Sequence, residues 1–244
     1  MDINIVVIVR TRDEEHNIAK FCEAYKDADK ILVGDGGSLD NTVEIAKSFP
    51  NVEVREYWRR VELDNGYWRN PDSHHTNWMI KWAKEFEPTW IISDDCDCRP
   101  NRMLRDSYKN ILQNAKLRNV ETVLAVRVYL WGLEEYFPKL SSPLGEPNGQ
   151  GSLYAWRGNL DLWTVDAFPH FTFRLGDMPI KEFRTDTECL ELVFPYCLLH
   201  HSWDTLERAE IKVAYHNKSG LTPGMRMPTE WGGNRKPLLD FMYE

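Results

Sequence analysis

Three carboxylates crowd the end of an apolar run in the stretch WIISDDCD, residues 90–97: Asp94, Asp95 and Asp97 follow Trp90–Ile92 after a single serine. Bulky apolar residues in succession, without polar alternation, mark a strand buried on both faces. Side chains alternate along extended chain, so Asp95 and Asp97 are expected on one side, a few ångströms apart. Carboxylates that close repel one another unless a cation lies between them. Oxygen donors at a strand end suit Mg²⁺ or Mn²⁺, with phosphate oxygens and water completing the octahedron. An isolated D-x-D is more often an ordinary acidic loop after a strand, so the other polar residues brought to the same edge decide its meaning.

Two further strands end on polar residues. Residues 3–9 are a β-branched run that stops at Arg10, Thr11 and Arg12, and Asp13 to Asn17 then opens a helix with acidic residues in its first turn. Ala19, Phe21, Cys22 and Tyr25 give that helix its apolar stripe. Residues 30–34 form a second buried strand running into Asp35 and a glycine-rich turn, Gly36–Gly37, before a helix that stops at Pro50. Val52 to Val54 is a third strand. Strands alternating with helices imply a doubly wound, mostly parallel α/β sheet with right-handed crossovers. Such sheets bind ligands at the carboxyl ends of their strands, which puts Thr11, Asp35, Asp95 and Asp97 along one rim.

Downstream, residues 58–73 read as a polar, aromatic loop containing Arg59, Arg60 and Arg69. A helix spans His74 to about Phe86, another spans 101–117, and Thr122–Leu130 is a strand. Residues 131–151, rich in Pro, Gly and Ser, form a surface connection or a lid. Residues 197–204 end a strand and begin a helix that runs to about Lys218. The organisation expected is one domain over 1–218 with a C-terminal extension, 219–244, whose prolines and glycines disfavour a packed core.

Composition narrows the function classes. A formal net charge of −8 argues against nucleic acid as the default partner, although Arg99, Arg102, Arg105, Arg226, Arg235 and Lys236 could form a local basic face. No stretch matches a membrane span or a secretory signal, and five cysteines without a C-x-x-C pair fit reduced thiols in the cytoplasm. Cys96 and Cys98 flank the acidic motif, but a second ligand pair at zinc spacing is lacking. The ten tryptophans suit core packing first and a sugar or nucleobase pocket second.

The segments VRTRDEEHNI (9–18), VGDGGSLDNT (33–42) and WIISDDCD resemble family 2 glycosyltransferases of the GT-A fold, in that family's order and spacing. LLHHSWDTLERA (198–209), followed by Lys212 and Tyr215, is similar to the end of the catalytic domain in bacterial lipopolysaccharide-core-type sugar transferases, and Phe168–His170 with Arg174 and Leu175 resembles them more loosely. The resemblance implies a nucleotide pocket lined by Thr11, Arg12, Glu14, Asp35, Gly36 and Arg69, with Asp35 facing the base. It also implies a D-x-D pair, Asp95 and Asp97, holding the diphosphate through Mn²⁺ or Mg²⁺, with His200 as third metal ligand. A histidine between a strand and a helix could equally cap the helix. Gly36 stands where the family commonly has a second Asp. The catalytic base falls to Asp186, with Glu188 two residues on, and Asp166 and Asp177 as competitors.

The chemistry implied is transfer of a sugar, with inversion, from a UDP-linked donor to a hydroxyl of a saccharide or glycoconjugate, a role in polysaccharide biosynthesis that admits a peripheral membrane contact. Arg59, Arg60 or Arg69 would help hold the diphosphate. Rival readings are a nucleotidyltransferase, disfavoured because an acidic segment occupies the place of a glycine-rich basic loop, a non-catalytic nucleotide-sugar-binding module, and a transferase acting on modified nucleic acid.

Overall fold

The computed structural model describes residues 2–59, 61–62, 68–69, 72–131, 135–136, 152–167, 170–179, 189–201, 205–219 and 236–237. Along the chain, β1 (Ile5–Thr11) leads to α1 (Ile18–Ala24), β2 (Lys30–Asp35) to α2 (Thr42–Lys47), and β3 (Val52–Glu56) follows. A small ladder of β4 (Val61–Glu62) and β5 (Trp68–Arg69) precedes α3 (Asp72–Lys84). The acidic strand β6 (Trp90–Asp95) turns into β7 (Cys98–Pro100), then α4 (Arg102–Leu117), β8 (Thr122–Trp131) and β9 (Glu135–Tyr136). β10 (Ser152–Arg157), β11 (Leu162–Ala167), β12 (His170–Leu175), β13 (Met178–Pro179), β14 (Cys189–His200), α5 (Leu206–Ser219) and β15 (Lys236–Pro237) complete the order.

The main sheet runs β3-β2-β1-β6-β10-β8-β9-β15. β1, β2, β3 and β6 are mutually parallel. β10 enters antiparallel between β6 and β8, while β14 lies parallel to β8 and antiparallel to β7. The expected doubly wound, mostly parallel α/β sheet is therefore present, with β10 as its antiparallel insertion.

β1 explains why the parallel strands are apolar throughout. Ile5, Val7 and Val9 pack with Phe21, Tyr25 and Tyr108 on the face covered by α1 and α4, whereas Val6 and Ile8 pack with Met79, Trp82 and Trp156 on the face covered by α3. Fully burying each such side chain contributes about 1.5–3 kcal/mol. Trp82, Trp90 and Trp156 are among the largest fully buried side chains, so these indoles belong to the core.

Several expectations change. α1 begins at Ile18, with no acidic residue in its first turn, because Asp13, Glu14 and Glu15 are drawn into hydrogen bonds with the glycine turn. The stretch 58–73, expected to be loop, contains the β4–β5 ladder and the first turn of α3. The strand expected to end within 197–204 is β14, twelve residues long and ending at His200. Among the described residues no helix is long and apolar enough to cross a membrane. The proposed lid, 131–151, and the C-terminal extension lie mostly outside the described residues.

Candidate active site

The first half of the rim is built by two loops that fasten to one another. Asp13 accepts from the Leu39 amide (2.7 Å) while its own N–H donates to Ser38 Oγ (2.9 Å). The Glu14 amide donates to Thr42 Oγ1 (2.7 Å), the Glu15 amide to Asp40 Oδ2 (3.0 Å), and the Asn41 side chain to Glu15 Oε2 (3.0 Å). Asp13 takes a positive φ of 55° to make this junction, a conformation Asp tolerates better than most residues.

Behind it, Thr11 and Asp35 face one another across the β1–β2 register. Thr11 Oγ1 donates to Asp35 Oδ1 (3.2 Å), as does the Ser38 hydroxyl, and the amides of Gly37 and Ser38 donate to Asp35 Oδ2 (both 2.9 Å). The Gly36 amide donates to the Thr11 carbonyl (2.8 Å). Thr11, Asp35 and Gly36 are thus brought together as expected for one pocket wall. Arg12 is exposed, and the Glu14 carboxylate accepts from the Asn17 side-chain amide at 2.8 Å. The backbone of Arg69 lies in β5, but its side chain is outside the described residues.

Gly34, one residue earlier in β2, lets α3 approach the sheet: a Cβ there would lie 2.3 Å from Met79 Sδ and 2.7 Å from His75 Nε2. His75 is buried, stacked on Tyr57 with centroids 4.1 Å apart. Burial first, and then the nearby charge of Arg10, push its pKa down to about 3, so the imidazole is neutral.

The second half is held by charge. Arg10 reaches Asp95 Oδ1 (3.3 Å) and Asp72 Oδ1 (3.0 Å). Arg127, from β8, bridges Asp94 Oδ1 (3.1 Å) and Asp95 Oδ2 (3.3 Å). Asp94 is wholly covered, and burial pushes its carboxyl up to about 7 against the pull of Arg127. For Asp95, packing raises the pKa, but Arg127 and Arg10 outweigh it and hold the carboxyl below its ordinary value.

Asp97 projects instead toward β14. His200 Nε2 lies 3.8 Å from Asp97 Oδ2, and the His201 amide donates to the Asp97 carbonyl (2.7 Å). His200 ends β14 opposite Cys98 in the β7 ladder, six residues before α5 begins. Tyr129 packs on the imidazole at 4.7 Å between centroids. Asp97 and His200 offer a carboxylate and an imidazole at one point, a donor pair suited to a divalent ion of the Mn²⁺ type. The structure therefore brings Asp97 to His200 and Asp95 to the two arginines.

The catalytic candidates Asp186 and Glu188 lie outside the described residues, as do Arg60 and the side chain of Asp166; Asp177 is exposed on the β12–β13 turn. Arg59 contacts His74 Nδ1 at 3.2 Å. Sequence reasoning missed Arg10 and Arg127 as members of the site. The signal available was a lone arginine within each of two apolar strands, a charge that is buried only when paired.

No family model matches the chain, and no curated protein matches it. Among solved structures, it is similar to S. aureus TarS. Residues 1–349 of that protein in complex with UDP-GlcNAc superpose with a TM-score of 0.53 at 13% identity, covering 93% of this chain and 69% of that one. A second structure of the same segment gives 0.51 at 14% identity, over 91% and 67%. Against a longer TarS structure the TM-score is 0.52 at 15% identity, and this chain spans 41% of its length. The architecture is the GT-A fold, with the acidic strand, the glycine turn and the end of β14 meeting on one rim.

Proposed function

We propose that this chain is an inverting, metal-dependent glycosyltransferase that moves a hexosyl unit from a UDP-linked sugar to a hydroxyl of a saccharide or glycoconjugate. The observation that carries this reading is the approach of Asp97 to His200 on the same rim as the Thr11–Asp35 wall. The TarS complex with UDP-GlcNAc supports the choice of donor.

Thr11, Asp35 and Gly36 form the wall against which the nucleotide rests. Asp97 and His200, with Asp95 beside them, would hold the divalent ion, which would supply Lewis-acid neutralisation of the departing diphosphate. Arg10 and Arg127 offset the mutual repulsion of Asp94 and Asp95 before any ligand arrives. Asp186, or Glu188 two residues on, takes the proton from the acceptor hydroxyl as it attacks the anomeric carbon from the face opposite the leaving group.

The test is release of UDP or GDP from a panel of nucleotide sugars, with Mn²⁺ and with EDTA, comparing wild type with Asp97→Asn. One donor should be turned over only with metal, and the substitution should lower kcat/KM about a thousandfold, the order of several kcal/mol of charge stabilisation. Donor binding without turnover, in the presence of candidate acceptors, would place the chain among binding modules instead.

A further inference from the structure

The metal pair has a third neighbour of different chemistry. Cys98 pairs with His200 across the β7–β14 ladder. A carboxylate oxygen of Asp97, the thiol sulfur of Cys98 and a ring nitrogen of His200 all lie within 4.8 Å of one another. In a tetrahedral site with bonds of about 2.0–2.3 Å, donor atoms stand roughly 3.3–3.8 Å apart, so closing the widest pair takes a movement of about an ångström. The thiol is fully buried at the foot of the acidic loop, in the strand position opposite His200. Two polar atoms of this shell, Asp94 Oδ2 and Arg127 Nε, are buried without a hydrogen-bond partner among the described residues.

We infer that Cys98 is a thiolate ligand of the Asp97–His200 site, giving it a preference for thiophilic divalent ions such as Zn²⁺ and Co²⁺ over Mg²⁺. The inference rests on Asp97 and His200 being a metal pair. Thiolate and imidazole donors favour borderline and soft ions, whereas Mg²⁺ demands an octahedron of oxygens. Ligation forms the metal–sulfur bond and sends the thiol proton to solvent. The ion's two positive charges then balance the thiolate and the Asp97 carboxylate, while Arg127 remains paired with Asp94 and Asp95. Three protein donors in a tetrahedral arrangement leave one position for a phosphate oxygen.

The experiment loads the whole chain with Co²⁺ and records the near-ultraviolet thiolate-to-cobalt charge-transfer band for wild type, Cys98→Ser, Cys98→Ala and Asp97→Asn. Mn²⁺ and Zn²⁺ binding is followed in parallel by competition. The wild type should show the band. Both Cys98 variants should lose it while still binding Mn²⁺, and their preference for Zn²⁺ over Mn²⁺ should fall about tenfold or more. A wild-type protein that binds Co²⁺ or Mn²⁺ without the band overturns the thiolate assignment and leaves the metal pair standing. A band that survives in both Cys98 variants does the same, and points to another thiol. If wild type binds neither ion, or Asp97→Asn binds both unchanged, the metal pair falls and the thiolate with it. Absence of the band in the wild type overturns the assignment even if a Cys98 variant fails to fold.

Discussion

The two halves of the rim are organised by opposite means. Between β1 and β2 the organising contacts are short hydrogen bonds: four donors converge on the Asp35 carboxylate, and the acidic loop after β1 interlocks with the glycine turn. Around β6 and β7 the groups are charges of opposite sign, three carboxylates against two guanidinium groups and an imidazole. A hydrogen-bonded junction has a fixed shape and little dependence on ions. A cluster of partly compensated charge responds to whatever cation enters it, so the first half is suited to holding shape and the second to answering a ligand.

Removing a counter-charge should separate the halves most strongly. Arg127→Met leaves Asp94 buried without its partner, and urea denaturation should show a loss of about 3–5 kcal/mol. Saturating Mn²⁺ should restore more stability to this variant than to wild type, since it occupies the folded state of a site with excess negative charge. An equal response to Mn²⁺ in both proteins would contradict the division.

An intermediate effect lies beneath the first half. His75 has its folded pKa depressed to about 3 from 6.5, so its contribution is complete above pH 6.5 and is lost as pH falls toward 3. At pH 5 the unfolded chain binds a proton that the folded protein refuses, which amounts to about 2 kcal/mol. Denaturation at pH 7.5 and pH 5 should show His75→Gln losing less stability than wild type over that interval; an equal loss would mean that His75 is not a source of the acid sensitivity.

The smallest expected change is in the interlocking loops. Thr42 is fully buried, its hydroxyl accepting from the Glu14 amide and bonded to Asp40. Thr42→Val strands that amide and should lower stability by about 1–2 kcal/mol, to the same extent with Mn²⁺ and with EDTA. A loss that disappears with Mn²⁺ would tie the two halves together.

How far the sequence was readable follows the same division. The parallel strands were legible because burial on both faces of β1, β2 and β6 leaves an unbroken apolar signature, and the strand ends then located Thr11, Asp35 and the three aspartates. The acidic segment 13–15 misled, because its residues suit a helix start by local rules but satisfy a loop distant in sequence. Alternation placed Asp95 and Asp97 on one side, yet the chain turns at Cys96–Asp97, and the two carboxylates take different partners. Arg127 was legible only as a lone charge in an apolar strand, which implies a buried partner without saying that the partners are Asp94 and Asp95. Asp186 and Glu188 rest on resemblance alone.

β14 carries an irregularity with a consequence of its own. Leu192 pairs with Ala125 and Cys197 with Val126, so one step along β8 is matched by five along β14. The chain holds slack there, and beyond it the ladder to Pro100, Arg99 and Cys98 sets the register afresh. His200 is therefore measured from the acidic loop and not from the chain that precedes it. A change of length between Leu192 and Cys197 would therefore be absorbed at the irregularity, leaving His200 held opposite Cys98 by the β7 ladder.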